Sequence, residues 1–232
     1  MMRVLGLMLL FLFASFPTLA ADMDRLFKHI EADVDATDWG EATRLVTWDA
    51  EAWYGGDTHK IWLKSEGEWE DGTLETAEFQ VLLSHITDAF WDIQGGLRHD
   101  VRPTSITYAV LGVHGLAPQF VETDIALFVS DDGDAHIRAK GDLDIHLTQR
   151  LRLTPFLETE VFLQDEDDID RAQGLATLET GLQLAYEIRR EFAPYIELNY
   201  ETGLGATRNR LRQAGEDEDT LTLRAGLSFW FN

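Results

Sequence analysis

Cysteine is absent from the 232 residues, which removes disulfides, thiolate metal ligands and thiol catalysis together. Positive charge is scarce: 19 Lys and Arg stand against 42 Asp and Glu, a formal net charge of −23. Binding a phosphate backbone needs a basic face, so nucleic acid is excluded as a partner. After Phe16, charges interrupt every apolar run within a few residues, and no later segment reads as a transmembrane helix. Also missing are G-x-S-x-G, H-E-x-x-H and a glycine-rich phosphate loop, so the common hydrolase, zinc-protease and nucleotide motifs are not there. A mean hydropathy of −0.18 with 26% charged residues resembles a soluble protein. A membrane barrel looks the same by this measure, because only half the positions of each strand are apolar.

Met1 to Ala21 reads as a secretory signal. Arg3 is its positive start, Val4 to Phe16 its apolar core, and Thr18-Leu19-Ala20 its small-residue cleavage site. The expected division is therefore a signal peptide over 1–21 and one domain over 22–232. Cleavage removes Arg3 and no acid, so the charge of −23 becomes −24.

The most legible stretch is Ala135 to Leu147. His136, Arg138, Lys140, Asp142, Asp144 and His146 alternate with Ile137, Ala139, Gly141, Leu143, Ile145 and Leu147. A period of two means a β-strand with one charged and one uncharged face. Similar runs follow one another along the chain, at 26–35, 44–54, 60–70, 74–84, 89–99, 105–116, 119–130, 135–147, 149–163, 175–187, 192–203 and 220–231. Turn chemistry separates them, as at Gly55-Gly56-Asp57, Asp71-Gly72-Thr73, Ala117-Pro118 and Asp131-Asp132-Gly133-Asp134. No segment carries a 3.6-residue apolar stripe beyond a turn or two.

Connection lengths then alternate. Those at 164–174 and 204–219 are long and charged, whereas 147–149 and 188–191 are short. Outer-membrane barrels pair long outer loops with tight periplasmic turns. A soluble sandwich has no reason to alternate in this way. Counting back from an inward-running last strand demands a strand before 44–54, and LFKHIEADVD at 26–35 fills that place. The fold class expected is thus an all-β transmembrane antiparallel barrel of about twelve strands, an even number as single-chain bacterial barrels require. Trp48, Tyr54, Trp62, Trp69, Trp91, Tyr186 and Trp230 sit mostly near strand ends, as aromatic girdles do. Trp62 points inward by parity. The chain stops at FWFN, with Asn232 after the terminal aromatic that usually closes such barrels.

Four strings carry a family resemblance: WDAEAWYGGDTHKIWLKSEGEWE (48–70), GLAPQFVETDIALFVSDDGDAHIRA (115–139), LTQRLRLTPFLETEVF (147–162) and YEIRREFAPYIELNYE (186–201). The chain resembles the copper resistance protein B family over nearly all of its mature length. The resemblance implies an exported outer-membrane protein of copper resistance with copper ions as ligand; the barrel is expected to stand as a monomer in the lipid bilayer. It also implies a periplasmic multicopper oxidase as partner. One departure stands out: members often carry an N-terminal extension rich in Met and His. Here the mature chain is expected to begin almost on the first strand, with Met23 the one methionine beyond the signal. The resemblance therefore supports membership more firmly than high-capacity copper storage.

By parity the interior is dense in charge: Asp49, Glu51, Lys60, Lys64, Glu66, Glu68, Glu78, Arg98, Glu122, Asp124, Arg138, Lys140, Asp142, Asp144, Arg150, Arg152, Glu158, Glu160, Glu179, Glu197, Glu201 and Arg224 point inward. Cross-strand ion pairing explains most of them structurally; a cation path lined by surplus carboxylates is the functional alternative. His29, His59, His85, His114 and His146 fall near periplasmic strand ends, and His99 and His136 near the outer surface. Imidazole ligates copper well. The candidate ligands are therefore His29, Glu31, Glu51 and His146, with Asp49 as an alternative carboxylate beside Glu51. His146 cannot share an ion with His136, because ten residues of strand span roughly 33 Å. Two other functions remain open: a narrow passive diffusion barrel, and an acyl hydrolase using Ser84 and His85. Adjacent strand residues face opposite ways, which counts against the second, and no enzymatic activity is expected.

Overall fold

The computed structural model describes residues 26–37, 45–166, 169–215 and 217–232. The signal peptide expected over 1–21 and the residues up to 25 lie outside them. The strands are β1 (Phe27–Thr37), β2 (Leu45–Gly55), β3 (His59–Glu70), β4 (Thr73–Ile86), β5 (Trp91–Arg102), β6 (Ile106–Ala117), β7 (Val121–Ser130), β8 (Ala135–Asp142), β9 (Ile145–His146), β10 (Leu151–Phe162), β11 (Gly174–Tyr186), β12 (Phe192–Gly203) and β13 (Asp219–Phe231). Consecutive strands pair antiparallel, except that β8 and β9 both pair with β10, and β13 returns to pair with β1 from Ile30↔Phe231 to Ala36↔Ala225. The sheet is closed. Closure pairs the edges that an open sheet would present, the condition for strands to cross a bilayer.

Thirteen strand segments occupy twelve staves, because β8 and β9 both pair with β10. The single strand expected over 135–147 is interrupted at Leu143-Asp144. The reason lies opposite. Phe156↔Asp142 and Arg152↔His146 share one register, which sets Pro155 across from Leu143. Leu143 N–H donates to the Pro155 carbonyl at 3.1 Å, but proline has no N–H to return the bond. On the other side β7 begins only at Val121.

Local chemistry explains the tight ends. Asp71 (φ 46°) and Gly72 (φ 90°) both take positive φ between β3 and β4, the type I′ turn that matches strand twist. The sharpest departure from expectation is at 204–219, where Gly205–Ala214 forms a helix, α1, closed by Gly215 in the left-handed region. Arg208 and Arg212 on that helix bind Glu218. The all-β expectation holds for the barrel and misses this cap.

The two faces separate cleanly. Leu83, Leu111 and Leu221 are 65, 60 and 67% exposed on the outer wall, a continuous apolar surface that water would not tolerate and lipid would. Tyr54, Trp69 and Tyr186 are exposed with them near the rims. Inside, Trp62, Leu82, Tyr108, Val110, Ala126 and Phe128 form a small core against β3, β4, β6 and β7. Glycine lets one ring lie flat on the inner wall: a Cβ on Gly226 would stand 2.4 Å from Tyr195 Cζ. The Tyr195 hydroxyl thereby reaches Asp35 and donates to it at 3.0 Å. Among the described residues, no helix is long and apolar enough to cross a membrane.

Candidate metal centre at the short-turn rim

A cavity of about 1330 Å³ runs through the interior, and its wall contains every residue assigned inward by parity except Arg150. Arg150 falls in the turn between β9 and β10 and does not line it. Ion pairs cross this space as well as running along the wall. Arg138 on β8 grips Glu78 on β4 through two guanidinium nitrogens at 2.9 and 3.2 Å and Glu160 on β10 at 3.1 Å. Lys140 reaches Glu66 on β3 at 2.6 Å, and Lys64 on β3 reaches Asp124 on β7 at 2.5 Å. Arg98 holds Glu78 at 2.8 Å and Asp100 at 2.6 Å. Carboxylates still outnumber lysines and arginines in the lining.

The surplus concentrates on β1 and β2. Register sets Glu31 directly across from Glu51 and Asp33 directly across from Asp49. Like charges directly opposed on neighbouring strands repel, so this wall calls for a cation. His29 stands one inward step below Glu31, and ligand atoms of His29, Glu31 and Glu51 lie within 4.8 Å of one another. The His29 ring is set by its neighbours. It stacks on Trp53 at 6.0 Å and meets the edge of Trp230 at 5.7 Å. With the proton on Nδ1, it donates to Asn232 Oδ1 at 3.0 Å, which turns Nε2 toward Glu31 Oε2 at 3.5 Å. A fixed outer hydrogen bond of this kind is what orients metal-ligating imidazoles. Lys64 lies 3.9 Å from Glu51 and much closer to Asp124, so Glu51 is only weakly neutralised. One imidazole and two carboxylates form a nitrogen–oxygen set suited to Cu(II).

Three of the four expected ligands thus converge. His146 does not join them: its side chain is 57% exposed and pairs with Glu187 at 3.8 Å. It sits on the two-residue β9, past the break opposite Pro155. Asp49 is part of the acidic wall, one step above Glu51. Trp230, grouped by position with the girdle aromatics, is instead an inward partner of His29, as is Trp53. Parity indicates this for Trp230, which sits between Phe229 and Phe231; the role of Asn232 had no signal beyond its place at the end of the chain. Ser84 and His85 do face opposite ways. Ser84 Oγ is buried, takes the Trp62 indole N–H at 3.1 Å and donates to Asp92 at 3.2 Å, whereas His85 is exposed and meets His59.

At the other rim, the loop between β10 and β11 sends Glu166 inward to accept the Tyr108 hydroxyl at 2.9 Å. Burial pushes the Glu166 carboxyl up, opposed by that hydrogen bond.

A closed, even-staved barrel with an apolar outer wall, a charged interior and its longest connections at one rim is an outer-membrane β-barrel. Solved structures agree on the fold: the NanC porin superposes with a TM-score of 0.55 at 14% identity, covering 88% of this chain and 99% of that one. The KdgM porin gives 0.52 at 12% identity with the same coverage. The chain belongs to the copper resistance protein B family, whose model, described as copper resistance protein B precursor, matches residues 26–231. Copper resistance protein B of Escherichia coli is 41% identical over 201 residues, 85% of this chain and 68% of that protein. The homolog from Pseudomonas syringae pv. tomato is 34% identical over 200 residues, again 85% and 68%. Membership supports a role in copper resistance at the outer membrane of a Gram-negative cell.

Proposed function

We propose that this protein binds copper at the periplasmic mouth of the barrel and thereby helps to sequester or export it. One observation carries the reading: Glu31 and Glu51 are opposed in register with His29 beside them. Such a trio is costly without a cation and well matched to one. The rim where β1 begins and β13 ends carries only short connections, whereas the two long ones lie at the opposite rim; outer-membrane barrels leave their short-turn side in the periplasm. A copper-loaded periplasmic protein, such as the multicopper oxidase implied by the family, would meet the trio there. The unit that acts is a monomer.

The test is calorimetric titration of the detergent-purified protein with Cu(II) and Cu(I). Glu31→Gln and Glu51→Gln should each abolish tight binding at the mouth. Asn232→Ala, which frees the His29 ring without touching a ligand, should weaken binding roughly tenfold. If the wild type binds copper no more tightly than an unrelated barrel, the copper reading falls and a passive barrel is left.

A further inference from the structure

A pair of imidazoles lies outside the lumen. His59 on β3 and His85 on β4 are direct cross-strand partners. Ile86 N–H donates to the Thr58 carbonyl at 3.0 Å, so Thr58 and Ile86 form the hydrogen-bonded pair. His59 and His85 therefore fall on the adjoining non-hydrogen-bonded position, where side chains stand closest. Their ring centroids are 4.7 Å apart, and His85 Nδ1 lies 3.2 Å from His59 Nε2. Both side chains are exposed. The next residues on the same face are Ile61 and Leu83, 42 and 65% exposed, so the pair marks the border between the apolar band and the short-turn rim.

We propose that His59 and His85 form a separate, outward-facing site for a late first-row divalent cation, Cu(II) above the others. Two nitrogens bound cis to one ion at about 2.0 Å each stand roughly 2.8–3.3 Å apart. The existing separation falls in that range, so the chelate forms once the ring that donates the shared hydrogen bond passes its proton, through solvent, to its other nitrogen. Both facing nitrogens then offer lone pairs, and the strands need not move. Two imidazoles with water in the remaining positions favour Cu(II) over Zn(II) by the usual order of affinities, and give Mg(II) and Ca(II) almost nothing. The site faces away from the lumen and lies on β3 and β4, whereas the mouth trio lies on β1 and β2. An ion there is held on the wall at the level of the membrane surface, independently of the trio.

The experiment is titration of the detergent-purified full protein with Cu(II) alone, read by electron paramagnetic resonance, with Zn(II) and Mg(II) as competitors. A species with two coordinated imidazole nitrogens should appear and persist in Glu31→Gln. It should vanish in His59→Ala and in His85→Ala, with one equivalent of bound Cu(II) lost. His85→Gln keeps a hydrogen-bonding side chain beside His59 but supplies no imidazole, so it should also lose the species while retaining the heat-modifiable gel shift of a folded barrel. If the three histidine variants bind Cu(II) with wild-type stoichiometry and spectrum, the pair is only an imidazole–imidazole hydrogen bond and the proposal is overturned. If the histidine variants lose an equivalent while Glu31→Gln loses none, the outer site stands and the mouth reading fails alone.

Discussion

Arg138 illustrates what one residue does in this interior. The residue is 8% exposed, and its guanidinium meets Glu78, Glu160, Glu158 and Glu66 from three different strands. Removing one partner of a buried ion pair leaves the other charge stranded, a loss of about 3–5 kcal/mol. Arg138→Met keeps much of the volume and discards the charge, so it should lower the unfolding free energy of the detergent-folded barrel, read from urea titration, by an amount in that range. Lys140, 30% exposed at its side chain, should tolerate the same exchange better. Alternation in the sequence is enough to send Arg138 inward, since it depends only on odd and even positions. The identity of its partners is not legible in that way. Glu78 lies sixty residues away, and the pairing depends on how far the barrel curls. The mouth trio divides along the same line: His29 and Glu31 share a strand face that parity reveals, but Glu51 joins them only through the β1–β2 register, and His146 is excluded by a break that alternation does not show.

At the scale of elements, that break is the instructive case. The charged and apolar faces of Ala135–Leu147 alternate without a fault, yet the strand lapses because of a proline on its neighbour. Pro155→Thr supplies the missing N–H opposite Leu143 and should join β8 to β9. The gain is about 0.5–1.5 kcal/mol, visible as slower amide exchange at Leu143 and Ile145, whose N–H groups face β10. The helix α1 escaped the period argument for a different reason: it is anchored by charge more than by an apolar stripe. Arg212, and with it Arg208, holds the Glu218 carboxyl down at about 2. A carboxyl with a lowered folded value contributes to the folded state above its ordinary value near 4.5, and that contribution fades as pH falls through about 2. The loop helix should therefore stay docked at pH 5 and loosen progressively between pH 4.5 and 2. Arg212→Gln should move this loosening to higher pH, which a fluorophore attached at Gln213 would report.

For the whole molecule, fold class was readable because lipid and lumen impose opposite demands on alternate residues through twelve staves, and connection lengths add the polarity of the membrane. The interior's openness is a property of the closed ring, since it depends on side chains that meet across the lumen. Lys64–Asp124 and Lys140–Glu66 span it from β3 to β7 and β8, beside a wall of β1 and β2 that is almost purely acidic. Replacing both lysines by methionine removes these cross-links and frees two carboxylates. If the cross-links set the free cross-section, the Lys64→Met/Lys140→Met protein should pass more potassium current in planar bilayers than the wild type. Its reversal potential in a salt gradient should also move toward that of potassium, because the released Asp124 and Glu66 make the lumen more negative. Unchanged conductance would place the constriction elsewhere, with the loop that docks Glu166 on Tyr108 as the next element to cut. A shift toward anion preference would contradict the acidic-lumen account altogether, since no redistribution of the remaining side chains gives the β1–β2 wall a positive sign.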